Sequence, residues 1–270
     1  MITEIGKLKV EIDRLWEVGT LPGNALSCLE AVLDGLDSGS IAVVERQGDG
    51  SWSVNSWVKK AILLYFRLKP VEKLQEGPFW DKIPLRHLSS QKNRIVPFSS
   101  IRRGSYIADK VVVMAPSFVN IGAYIDEGTM VDSLVLVGSC ARVGKNVHLG
   151  AGTTIGGVLE PPNSRPVIIE DDVFVGGNCG IYEGCLIESG AVIAAGTIIT
   201  AATPIIDVET GEKFSGRVPA TAVVVPGGRI RNLGLSGGKF VLKTPLIVKR
   251  RDPATTAKIA LEDSLRSFEA

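Results

Sequence analysis

From Ile107 onward an aliphatic residue returns at every sixth position, as Val113, Val119, Ile125, Val131, Val137, Val143, Leu149 and Ile155. A helix repeats near 3.6 residues and a strand at 2, so neither accounts for a strict period of six. After the interruption at 160–166 the series resumes two residues out of phase, as Ile169, Val175, Ile181, Ile187, Ile193, Ile199 and Ile205, which makes sixteen hexads.

Within a hexad, the place four after the aliphatic residue is small or β-branched (Ser117, Ala123, Thr129, Val135, Cys179, Thr197) and should share the interior. The place three after it favours Gly, Asn or Asp (Gly122, Gly128, Asn146, Asp172, Asn178, Gly184), which tolerate a left-handed backbone at tight corners. Each hexad therefore reads as a short extended side followed by a corner. Three sides close one coil of a triangular prism, and residues 18 apart stack at the spacing of paired strands, about 4.8 Å. The expectation is a mainly β chain, a parallel β-helix of hexapeptide repeats with about five coils from sixteen sides. Handedness does not follow from spacing; repeats of this composition resemble the left-handed family.

The place five after each aliphatic residue should face outward, yet it holds Val112, Phe118, Tyr124, Met130, Leu136, Phe174, Leu186, Val192 and Ile198. An apolar outer surface of that extent predicts a closed, threefold homo-oligomer, unless loops or terminal domains cover it.

Three regions follow. Residues 1–100 carry helical spacing at Ile5, Leu8, Ile12, Leu15 and Trp16, and again over 25–36, so a small, mostly helical domain is expected there. Trp57 to Leu68 reads as a buried helix or strand end, and Asp49-Gly50 as the turn of a short hairpin. Residues 101–225 form the β-helix, with loop insertions at 160–166 and 207–221. Residues 226–270 add strands and a terminal helix begun by Asp252-Pro253.

A chain of 270 residues with 45% hydrophobic content can bury a substantial core. A net charge of +1 without a basic run argues against nucleic-acid or membrane-surface partners and for small molecules or further copies of the chain. With no export signal and no long apolar run, the cytoplasm is expected. Cys28, Cys140, Cys179 and Cys185 form no C-x-x-C pair and read as free thiols, Cys179 and Cys185 as small core residues. Only His87 and His148 accompany them, too few for a three-histidine zinc site, so no metal is expected.

A β-helix is a scaffold for several functions, so the site must decide among acyl transfer from a thioester, metal-dependent hydration and a silent scaffold. At the place right after the aliphatic residue, Asp132 is followed by Gly138, Gly144, Gly150 and Gly156, and it should stack directly against Gly150, where the glycine leaves room beside the carboxylate. Met114–Ser133 (MAPSFVNIGAYIDEGTMVDS), Ile155–Pro162 (IGGVLEPP) and Ile168–Gly176 (IIEDDVFVG) resemble the tetrahydrodipicolinate N-succinyltransferase family. So do Ser56–Leu68 and Leu246–Ile259, and hence most of the chain.

That resemblance implies a cytoplasmic homotrimer in which succinyl-CoA, a cosubstrate and not a resident cofactor, acylates the nitrogen of a cyclic imine dicarboxylate between neighbouring subunits. It places Arg94 and Asp132 on the acceptor, the first by paired donors to a carboxylate and the second in orienting the nitrogen or taking its proton. The family usually has Ala-Arg-Ser-Glu where this chain has Gly177-Asn178-Cys179-Gly180, so Glu183 becomes a candidate second catalytic acid. His148, one coil from Met130, is a candidate base or a structural group. Gly196 and Lys249 are candidate contacts for coenzyme A, through backbone amides and charge respectively. Acetyl-CoA as donor, or a catalytically silent trimer, are the alternatives.

Overall fold

The computed structural model describes residues 2–74, 77–86, 92–232, 234 and 237–259. His87 and the end of the expected terminal helix lie outside these residues.

The period of six builds a left-handed parallel β-helix. One ladder runs from Arg94–Ile95 through Met130–Val131 and His148–Leu149 to Val192–Ile193 and Ala222–Val225. A second runs from Ser100–Ile101 to Ile198–Ile199, and a third from Tyr106–Ile107 to Arg217–Val218, each of six strands. Stacked partners are 18 residues apart, as Met130 and His148 are, except across the first insertion, where Arg142 pairs with Ile168, 26 residues on, and in the last coil, where Leu186 pairs with Arg217, 31 residues on. The eight extra residues at the first insertion are one hexad plus the shift of two seen in the sequence.

The coils begin before the boundary expected at residue 101. Ile95 and Ile101 continue the series backwards, and Arg94–Ile95 pairs with Val112–Val113. The second and third ladders thus hold six strands each, not about five. Ile205, expected as the last side, leaves the prism. Its strand pairs antiparallel with Lys213–Phe214 and parallel with Leu246–Ile247, and Arg217–Val218 takes the place beside Leu186–Ile187.

The interior and the corners follow the repeat. Thr129, Thr153 and Thr197 are fully buried beside the aliphatic residues. Thr129 can be there because its Oγ1 donates to the Gly144 carbonyl at 2.7 Å. The corner residues Gly122, Asn146, Asp172 and Asn178 all have positive φ, and the same place forces Lys110, Leu134 and Cys140 to 59°, 63° and 67°.

Helices α1 (Ile2–Glu17), α2 (Ala25–Ser38) and α3 (Ser56–Leu68) form the N-terminal unit. Ile12 and Leu15 of α1 meet Leu29, Leu33 and Leu36 of α2 in one core, and α2 ends on Gly39 at φ 75°. Trp57–Leu68 is a helix with buried residues on most of its circumference. The hairpin expected at Asp49-Gly50 joins Val44–Arg46 to Trp52–Val54.

This unit packs on the outer side of the third ladder, where Ile168, Cys140, Ile121 and Leu186 join the helical core. The Trp52 indole donates to Glu170 at 2.9 Å, and the Arg142 guanidinium lies 3.5 Å over the Tyr124 ring. Leu186 and Tyr124 are therefore covered by the chain itself, which corrects the inference that all the outward apolar residues await another subunit. Val112 and Val192 of the first ladder are also buried within the chain. The second ladder keeps its apolar side exposed, with Leu136 at 36%, Ile198 at 48% and the corner residue Leu134 at 65%.

Beyond the last coil, Ala222–Val225 pairs antiparallel with Leu246–Arg250, between which a ribbon of Gly228–Asn232 and Lys239–Lys243 projects. Helix α4 (Pro253–Ile259) follows, begun by Asp252, whose Oδ1 accepts the Thr255 N–H at 2.6 Å. No helix among the described residues is long and apolar enough to cross a membrane.

Candidate active site

Asp132 follows the strand Met130–Val131 and sits where the first ladder turns into the second. Its N–H donates to the Leu149 carbonyl at 3.0 Å, and its own carbonyl accepts the Ser117 hydroxyl at 2.8 Å. The half-buried carboxylate is aimed by one local bond, Oδ1 accepting the Ser133 N–H at 2.7 Å.

Above Asp132-Ser133, the same corner in successive coils holds Gly150-Ala151, Gly176-Gly177 and Ala194-Ala195. Their small size is imposed by the fold. A methyl on Gly150 would lie 2.7 Å from the Gly177 nitrogen, and one on Gly176 would lie 2.6 Å from the Ala195 nitrogen. The other two corners carry Tyr182-Glu183 and Glu170-Asp171 at comparable places, so this corner alone is smooth over three coils.

At its upper end lies a cavity of about 280 Å³ lined by Gly196, Ile198, Thr203, Pro226, Gly227 and Lys243, with Thr244 and Pro245. Three strand spacings, about 14 Å, separate that level from Asp132.

The ladder places Arg94 on the same sheet as the strand Met130–Val131 that Asp132 follows. Arg94 pairs with Val112 and Val112 with Met130, so Arg94, which is exposed, stands two strand spacings, about 10 Å, from Met130, and Asp132 lies two residues further along the chain. His148 pairs with Met130 and is buried to 8% exposure, its ring stacked on Phe174 at 4.9 Å.

Glu183 is not brought to this place. It lies on the next corner, between the second and third ladders, and its Oε2 accepts the Ala201 N–H at 2.9 Å. Lys249 is also elsewhere, paired with Asp252 at 2.7 Å, which holds the Asp252 carboxyl below its usual range. Its neighbours are engaged too, Arg250 with Asp207 at 3.2 Å and Arg251 with the Asp172 carbonyl at 2.8 Å. The cation that lines the cavity with Gly196 is Lys243, a residue the sequence did not single out because nothing but the pairing of the ribbon brings residue 243 to the coils.

The thiols are poor nucleophiles. Burial pushes Cys140 up to about 12 and Cys185 up to about 11, and raises Cys179 as well, so all three are protonated at neutral pH. Cys140 belongs to the contact between the coils and the helical unit.

Residues 7–68 match the model of the tetrahydrodipicolinate N-succinyltransferase N-terminal region, and residues 166–201 match that of the hexapeptide repeat of succinyl-transferase. The 2,3,4,5-tetrahydropyridine-2,6-dicarboxylate N-succinyltransferase of Polynucleobacter asymbioticus is 46% identical, over 94% of this chain and 97% of its own length. The chain belongs to the tetrahydrodipicolinate N-succinyltransferase family. The Acinetobacter baylyi member is 47% identical over 91% of both chains. A solved Campylobacter jejuni structure, provisionally assigned as a 2,3,4,5-tetrahydropyridine-2-carboxylate N-succinyltransferase, matches with a TM-score of 0.52 and 16% identity. That match covers 81% of this chain and 62% of the other, and it bears on the fold alone.

Within this succinyltransferase family the chain differs from the pattern expected above at Gly180, and its structure fills the gap. The ring of Tyr182 folds over Gly180, where a methyl would lie 2.5 Å from the ring edge. The ring therefore occupies space that a side chain at 180 would need.

Proposed function

We propose that the chain transfers the succinyl group of succinyl-CoA to the nitrogen of tetrahydrodipicolinate, releasing coenzyme A, in diaminopimelate and lysine biosynthesis. Family membership supports the reaction. The observation that supports the site is the smooth corner joining Asp132 to the cavity at Gly196.

In this reading the arm of the donor lies along Gly176-Gly177 and Gly150-Ala151, with Lys243 and the Gly196 backbone holding its phosphate-bearing head. Arg94 offers two parallel N–H donors to an acceptor carboxylate. Water first adds across the C=N bond of the acceptor, so that its nitrogen carries a hydrogen. That nitrogen attacks the thioester carbon, Asp132 accepts the proton it gives up, and the C–S bond breaks to release coenzyme A as a thiolate that takes up a proton. The hydrated carbon then opens to a ketone as its C–N bond breaks and its hydroxyl proton passes to the nitrogen. Holding both partners on one rigid corner supplies most of the rate, because positioning turns a bimolecular encounter into an internal one.

The active assembly in this reading is a cytoplasmic homotrimer. The exposed Leu134, Leu136 and Ile198 of the second ladder meet a neighbouring subunit, so the acceptor is held between subunits.

The test is release of free thiol from succinyl-CoA by the purified chain, with and without tetrahydrodipicolinate. Acceptor-dependent release is expected; release from acetyl-CoA alone, or from neither donor, would overturn the proposal.

A further inference from the structure

We propose that Tyr182 determines which acyl group the site accepts, its hydroxyl donating a hydrogen bond to the carboxylate at the far end of the succinyl chain. This rests on the reading above and adds a residue to it.

Gly180 opens its strand without a side chain. Tyr182, two residues on, faces the same side of the strand and turns back over it. A methyl on Gly180 would lie 2.7 Å from the Tyr182 hydroxyl oxygen, and one on Gly156 would lie 3.0 Å from Cδ1 of the same ring. The phenol is thus laid along the second ladder towards the smooth corner. Gly180 pairs with Thr154 on one side and Ile198 on the other. Since Ile198 lines the cavity, the hydroxyl emerges one strand spacing below it and two strand spacings, about 10 Å, above the level of Asp132.

Succinyl differs from acetyl by a methylene and a carboxylate, and a carboxylate leaving water needs donors. The outward residues of this ladder offer few, being Ser100, Phe118, Leu136, Thr154, Gly180 and Ile198, with hydroxyl groups only at Ser100 and Thr154. The guanidinium groups on the adjacent ladder are engaged, Arg142 with Asp126 and Arg217 with Glu188. Among the described residues the Tyr182 hydroxyl makes no hydrogen bond, and it stands on a long, ring-supported arm in an otherwise apolar strip. A phenol donating to an anion gives a short, strong bond there, and an acetyl group gains nothing from it.

The test is calorimetric binding of succinyl-CoA and acetyl-CoA, with thiol release measured in parallel, for the unaltered chain, Tyr182→Phe and Gly180→Ala. The unaltered chain should prefer succinyl-CoA by about ten- to a hundredfold, the range for one hydrogen bond to a charged group. Tyr182→Phe keeps the ring over Gly180 and should erase about tenfold or more of that preference. Gly180→Ala should do the same with the hydroxyl still present, because the added methyl displaces the ring. An unaltered chain without preference, a preference that survives both substitutions, or equal loss with both donors would overturn the assignment. Donor preference without acceptor-dependent thiol release would leave Tyr182 standing and remove the proposed reaction instead.

Discussion

The ammonium of Lys59, fully buried on helix α3, donates to the carbonyl oxygen of Ser164 at 2.5 Å and so ties the helical unit to the polar insertion between the two runs of hexads. Burial lowers the pKa of this lysine, and only a contact that satisfies the ammonium makes the charge tolerable there. Lys59→Ala removes both the bond and the packed stem. It should destabilise the chain by about 2–4 kcal/mol, read from urea unfolding.

The buried thiols make stability fall in alkali. Cys140 and Cys185 have folded pKa values raised to about 12 and about 11 from an ordinary 9.0. Their contribution is fully present below pH 9 and is lost as pH rises through the folded values, because the unfolded chain releases those protons first. Each thiol should contribute a slope of about 1.4 kcal/mol per pH unit above pH 9. Unfolding curves for Cys140→Ala should therefore fall less steeply than those of the unaltered chain between pH 9 and 11; parallel curves would contradict this.

Asp132→Asn should separate chemistry from structure. The amide oxygen can still accept the Ser133 N–H, so the melting temperature should stay within about 2 °C of the original. Acceptor-dependent thiol release should fall by about a hundredfold or more, since an amide cannot take a proton.

Gly150→Ala and Gly196→Ala should cost different amounts for different reasons. At Gly150 the new methyl meets backbone atoms at 2.7–2.8 Å that cannot move without shifting a coil, and about 2–3 kcal/mol is expected. Gly196 has open space but φ of 75°, so only left-handed strain of about 1 kcal/mol applies. Urea midpoints of the two variants decide the order.

Leu136→Asp combined with Ile198→Asp places charge on the exposed apolar side of the second ladder. Sedimentation velocity should show the assembly reduced to single chains, with the circular dichroism of the coils unchanged. An intact oligomer would mean that another surface holds it together.

Much of this was legible in the sequence because the repeat couples each position to one environment. The interior threonines, the left-handed corners and the place of Asp132 all follow from counting by six. Ile95 and Ile101 obey the same count, but Pro97, Arg102 and Arg103 around them disguise it as loop. What periodicity cannot carry is contact between distant segments. That Leu186 is covered while Leu136 and Ile198 are not depends on where three helices dock. Lys243 rather than Lys249 reaches the cavity because a ribbon folds back, and Glu183 misses Asp132 because it belongs to a different corner.

The one-to-one stacking of strands in successive coils makes the path from Asp132 to the Gly196 cavity a ruler with whole-number marks. Deleting or adding a single coil would change that path by one mark, about 4.8 Å, and no smaller adjustment is open to the corner itself. A chain of this kind that turned to a longer or shorter donor would have to change its coil count, or move its cavity by remodelling the ribbon, while the carboxylate stayed where it is.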